Sequence, residues 1–121
     1  IVYARACEAG AVLGKCCVKD NDQGCFIGYN VPFVFWADKT WDSVPQKDET
    51  ARLFLESSNM APISLIKGHT AKEAHKNSKM HILKNLKKEI KKSTNDTPMI
   101  IEGLLNNYSG QVLLGNENAC L

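Results

Sequence analysis

Residues 70–93 read TAKEAHKNSKMHILKNLKKEIKKS, a run that carries both a helix start and a helical period. Thr70 followed by Glu73 is a capping box, in which each side chain closes a backbone amide at the start of a helix. Further on, Ile82, Leu83, Leu86 and Ile90 share one face, while Lys84, Lys87, Lys88, Lys91 and Lys92 occupy the other. The spacing predicts a long lysine-rich helix over about 70–93, with Asn77-Ser78 as its weak point.

Working back from that helix, Lys67-Gly68-His69-Thr70 leads into it, and Pro62-Ile63-Ser64-Leu65-Ile66 before it reads as a short strand. Ser43 followed by Val44-Pro45 predicts a helix running to about Ser57, with Ala51, Leu53, Phe54 and Leu55 facing inward. Asp48 and Glu49 lie in its first turns, where the helix dipole favours anions. Cys25 to Tyr29 and Val31 to Trp36 are β-branched and aromatic, which predicts two strands, with Pro32 marking an edge or a strand start. Lys19 to Gly24 is a polar turn. In residues 2–17, Ala4, Cys7, Ala11, Val12 and Cys16 fall on one helical face, which predicts an N-terminal helix weakened by Gly10 and Gly14.

Beyond the lysine-rich helix, residues 99–105 and 111–114 read as two arms of a hairpin around Asn106-Asn107-Tyr108-Ser109-Gly110. The first arm has a helical alternative, because Thr97-Pro98 is a good helix start; the hairpin is preferred. The fold class is α+β. A single domain over 1–121 is expected, with an antiparallel or mixed sheet and helices packed on one side. Residues 1–24 form an N-terminal helix and cysteine-rich lead-in, and residues 25–121 the α+β core.

The chain has 121 residues, 44% hydrophobic and 23% charged, which suits one core. No apolar run approaches the ~20 residues that span a bilayer, so no membrane span is expected. The sequence starts at Ile1 rather than Met, and is therefore expected to be processed or excised from a longer polypeptide. Of the five cysteines, Cys7, Cys16, Cys17 and Cys25 lie early and Cys120 lies near the end. They are disulfide candidates that would staple the two ends of the chain, or buried thiols. None shows C-x-x-C spacing.

Charge is the clearest functional signal. Residues 67–92 hold nine lysines against Glu73 and Glu89, a local charge of +7; the rest holds four lysines, two arginines and eleven acids, a charge of −5. Such polarity steers polyanions. Lysine without arginine suits contact with the phosphate backbone rather than base reading. Lys72, Lys76, Lys79, Lys84, Lys87, Lys88, Lys91 and Lys92 are the candidate nucleic-acid-binding residues. At Lys67-Gly68-His69-Thr70 a helix N-terminus could offer amides to a phosphate, with His69 or His75 as proton-transfer group and Lys67 and Thr70 as further catalytic candidates. The P-loop pattern is missing. His75 and His81, six residues apart on one helix, point in different directions, so no metal site and no cofactor are expected.

These readings lead to a small basic RNA-binding or RNA-cleaving domain that is metal-independent, a ribonuclease-like C-terminal effector of a delivered toxin. Its expected partners are RNA or another polyanion, and an acidic inhibitor or immunity protein. The alternative is a secreted, disulfide-containing binding module without catalysis. The expected location is outside the producing cell or inside a target cell, with the cytoplasm as the remaining option.

Overall fold

The computed structural model describes residues 1–121. A three-stranded mixed sheet has the order β1 (Val2–Tyr3), β2 (Cys25–Tyr29), β3 (Gln111–Gly115), with β1 parallel and β3 antiparallel to the central β2. Helices α1 (Lys15–Val18), α2 (Glu49–Ile66), α3 (Ala71–Lys92) and α4 (Thr97–Gly110) complete the fold, and a π-type turn at Gly10–Gly14 leads into α1. No helix is long and apolar enough to cross a membrane.

Every residue of β2 is buried, because both faces of the sheet are covered. Cys25 and Ile27 pack against Ala61 and Leu65 of α2 and Ala71 and Ala74 of α3. On the opposite face, Phe26 and Val112 meet the N-terminal helical segment. A Cβ at Gly14 would lie 2.7 Å from Phe26, and one at Gly10 would lie 2.8 Å from Val112. These two glycines, which weaken a helix in isolation, let that segment lie directly on the sheet. Residues 2–17 are therefore not one helix: their start pairs as β1, and helical structure begins only at Gly10. A two-residue strand stabilised by its neighbour leaves no periodicity to read.

Residues Pro62 to Ile66 are the end of α2, not a strand, and Pro62 sits inside the helix. Proline has no N–H, so the carbonyl of Ser58, four residues back, loses its helical donor. The hydroxyl of Tyr3 supplies a replacement, donating to Ser58 O at 2.8 Å. The first strand thus repairs the backbone defect in α2. Tyr29 donates to Ser58 Oγ at 3.0 Å and receives Gln111 Nε2 at 3.0 Å; burial first of all pushes its phenol up to about 12.

At its other end, α2 starts at Glu49 rather than near Ser43. Asp48 is its N-cap, accepting from Ala51 N–H at 2.9 Å, and residues Pro45–Lys47 form a separate 3-10 turn. Residues 31–36 run extended but form no strand. Their backbone is held by side chains of α4: Asn107 receives Val34 N–H at 2.9 Å and donates to Val34 O at 2.6 Å, and Asn106 donates to Pro32 O at 2.8 Å. Amide side chains replace a neighbouring strand.

The preferred hairpin over 99–114 gives way to α4 followed directly by β3. Pro98 lies in the first turn of α4, and its buried face, Ile100, Gly103, Leu104, Asn107 and Gly110, has helical spacing. Helix α3 matches expectation, including the reciprocal capping box of Thr70 and Glu73. It does not break at Asn77-Ser78. Asn77 donates to Ser64 Oγ at 3.2 Å and Ser78 to Ser57 O at 2.7 Å, both on α2. The buried face of α3 is Ala71, Ala74, Ser78, Ile82, Asn85 and Glu89. Of the expected apolar face only Ile82 is buried, and Ile90 is 53% exposed. Small and polar residues bring α3 close to α2; Leu86 still packs against the Phe54–Ile82 core, while Met80 and Ile90 are exposed and Leu83 lines a surface groove.

Candidate lysine groove on helices α2 and α3

Residues on the outer side of α3 border an open surface groove. It is a groove of about 590 Å³ with an apolar floor of Met60 from α2 and Met80 and Leu83 from α3. Lys84, Lys87, Lys88 and Lys91 line it, at the i, i+3, i+4, i+7 spacing that stacks side chains along one helical stripe. His81 and Asn77 complete the lining, which contains no carboxylate. Four lysines therefore border a groove whose lining has no carboxylate, with Glu56 of α2 the acid that acts on His81.

The remaining lysines of the segment are placed differently. Lys72 is paired with Glu117 at 2.8 Å, and Lys92 lies 3.5 Å from the buried carboxylate of Glu89. Lys79 is half-buried with its ammonium 4.8 Å from the centre of the Tyr108 ring, and burial pulls its pKa down. Lys67 and Lys76 are exposed and lie outside the groove.

Lys67-Gly68-His69-Thr70 joins two helices instead of following a strand. Gly68 has φ +87° with no atom near its missing Cβ, so its role is to end α2 and reverse the chain. The first amides of α3 are all taken. Ala71 and Lys72 donate to the carbonyls of Ala119 and Glu117, each at 2.9 Å, while Glu73 and Ala74 donate to Thr70 Oγ1 and Thr70 O. The C-terminal residues thus close the end where a phosphate would otherwise sit. His69 is exposed, 3.7 Å from Glu73. Hydrogen bonds from Thr70 hold the Glu73 carboxyl below its usual range.

His75 is half-buried, and its Nε2 donates to Gln111 O at 3.3 Å. Burial pulls its pKa down, the neighbouring Lys79 adds to this, and the Gln111 contact and Glu117 oppose it. His81 is the histidine that shares a surface with the lysine stripe. Its Nδ1 lies 3.0 Å from Ser57 Oγ. Burial lowers its pKa first, with Lys84 and Lys88 adding to this and Glu56 opposing it. The sequence carried one hint of this placement: His81 precedes Lys84 by three residues and Lys88 by seven, so all three recur on one side of a helix.

All five cysteines are free thiols. Cys25 is buried in the core, where desolvation pushes its thiol up; Cys7, Cys16 and Cys120 are exposed, and Cys17 is half-buried. No group of three His, Cys, Asp or Glu side chains is arranged to hold a metal. Comparison with known protein families, with curated proteins and with solved structures found no match to this chain.

Proposed function

We propose that the protein binds single-stranded RNA, gripping the phosphodiester backbone through Lys84, Lys87, Lys88 and Lys91. The observation that carries this reading is a groove whose lining holds four lysines and no carboxylate. Lys84 and Lys91 are seven residues apart, about 10.5 Å along a helix rising 1.5 Å per residue. Each of the four ammonium groups can neutralise one phosphate of a strand laid along the stripe. The floor of Met60, Met80 and Leu83 favours a single strand, whose bases can leave the stack and pack on apolar surface. In this reading the acidic partner of such a domain, an inhibitor or immunity protein, would cover the same lysines.

The test is fluorescence anisotropy with a labelled RNA oligonucleotide across a salt series. Four phosphate contacts give a slope of log affinity against log salt near about −2.8, or a loss of roughly 50-fold between 50 and 200 mM salt. Replacing Lys84 and Lys88 by alanine should reduce that slope by about half. Absence of binding, or a slope that ignores these two lysines, overturns the proposal. Equal binding of duplex RNA removes the single-strand part.

A further inference from the structure

We infer that the groove is also a metal-independent RNA cleavage centre in which His81 takes the proton from the attacking 2′-hydroxyl and a neighbouring lysine, Lys84 or Lys88, protonates the leaving oxygen. This rests on the RNA-binding reading and adds a reaction to it.

The geometry around His81 is that of a held base. Ser57 is 1% exposed and Asn85 is 3% exposed. Ser57 Oγ donates to Leu53 O at 3.0 Å, and Asn85 Nδ2 donates both to Leu53 O at 2.8 Å and to Ser57 Oγ at 3.0 Å. Ser57 Oγ lies 3.0 Å and Asn85 Nδ2 3.4 Å from His81 Nδ1. In the proposed state the Ser57 hydrogen stays on Leu53 O and both Asn85 hydrogens stay on Leu53 O and Ser57 Oγ, so the imidazole donates from Nδ1 to Ser57 Oγ and Nε2 carries the lone pair. No protein group is hydrogen-bonded to Nε2, and the ring lines the groove. A buried polar cluster therefore holds the Nδ1 edge of a ring that lines the lysine groove.

The charged groups acting on the ring are Glu56 from α2 and Lys84 and Lys88 from α3; together with burial, their balance favours the neutral imidazole. A neutral imidazole can accept a proton, and nearby ammonium groups stabilise the charge that gathers on the phosphorane. In the proposed step, the 2′-hydroxyl gives its proton to His81 Nε2 and the 2′-oxygen bonds to the adjacent phosphorus. The P–O5′ bond breaks, and the lysine ammonium gives its proton to the 5′-oxygen. The products are a 2′,3′-cyclic phosphate and a 5′-hydroxyl. Solvent then returns one proton to the lysine and removes one from the imidazole. The 2′-hydroxyl is supplied by the substrate, so a strand lacking it cannot react. Ser57 acts through His81 and is a positioning residue.

The experiment incubates the full chain with an RNA oligonucleotide in EDTA and identifies the product ends by mass spectrometry, with anisotropy run in parallel. Cleavage to cyclic phosphate ends is expected from the unmodified protein and none from a 2′-deoxy strand. His81→Asn retains a donor toward Ser57, so the fold survives; it should lose at least about 100-fold in rate while RNA affinity stays within about threefold. Ser57→Ala should slow cleavage less and shift the acid limb of the pH–rate profile, which a merely structural loss would not do. Binding without cleavage, or cleavage that His81→Asn leaves intact, overturns the inference and leaves the binding proposal standing. Loss of binding itself overturns the binding proposal and this inference with it.

Discussion

The contact between Tyr3 and Ser58 makes a quantitative claim. If Pro62 strips Ser58 O of its helical donor and Tyr3 restores one at 2.8 Å, the worth of the Tyr3 hydroxyl depends on Pro62. Tyr3→Phe leaves a partly buried carbonyl without its donor, which costs about 1–3 kcal/mol, or roughly 3–10 °C in melting temperature for a chain of this size. Pro62→Ala supplies an N–H that can reach Ser58 O within the helix, and removing an interior proline is itself stabilising, by up to about 3 kcal/mol. In that background Tyr3→Phe should cost about 1–2 kcal/mol less. Tyr3 also contacts Ser58 Oγ, but that contact is lost in both backgrounds and cancels in the cycle. Urea unfolding of the four proteins gives the coupling energy directly. If Tyr3→Phe costs the same in both backgrounds, to within about 0.5 kcal/mol, the hydroxyl is not replacing a helical donor and the account of α2 fails.

Asn107→Leu removes both hydrogen bonds to Val34 and should cost about 2–4 kcal/mol in urea unfolding, with faster proteolysis in residues 31–37; an unchanged midpoint would show that the extended segment holds itself. Stability should also fall with acid. Burial depresses the pKa values of His75 and His81 below their unfolded values, so the unfolded chain binds more protons once the pH drops below ~6.5. The melting temperature is therefore expected to be flat from about pH 6.5 to 8 and to decline below that range, and His75→Gln should shallow the decline.

Legibility in the sequence followed how local each signal was. The capping box at Thr70 and Glu73 uses residues three apart, so α3 could be read outright. Strand β2 was equally plain, because a compact β-branched and aromatic run bounded by a polar turn has few alternatives. Two short apolar runs failed in the same way. Residues 62–66 and 99–105 each fit a strand in isolation, and only contacts from distant segments decide them: Tyr3 makes Pro62 tolerable in α2, and Asn107 gives α4 an extended segment to hold. The spacing of Ile100, Gly103, Leu104 and Asn107 was available, but a turn-like run at 106–110 outweighed it. At the groove, the lysine stripe was visible as a pattern. Its floor was not, because Met60 arrives from another helix. His69 attracted attention through its glycine neighbour, yet that glycine serves a helix reversal, and the residue facing the stripe is His81.

The interior of this protein is unusually mixed: Ser57, Ser58, Ser64, Ser78, Asn85, Asn107 and Gln111 are buried beside its hydrocarbon. Hydration of newly exposed apolar surface raises the heat capacity on melting, and hydration of polar surface lowers it. The increment should therefore fall below the roughly 12–15 cal/mol/K per residue of ordinary domains. A small increment flattens the free-energy curve against temperature, so chilling erodes such a fold slowly and its cold-denaturation limit moves well below the freezing point of water.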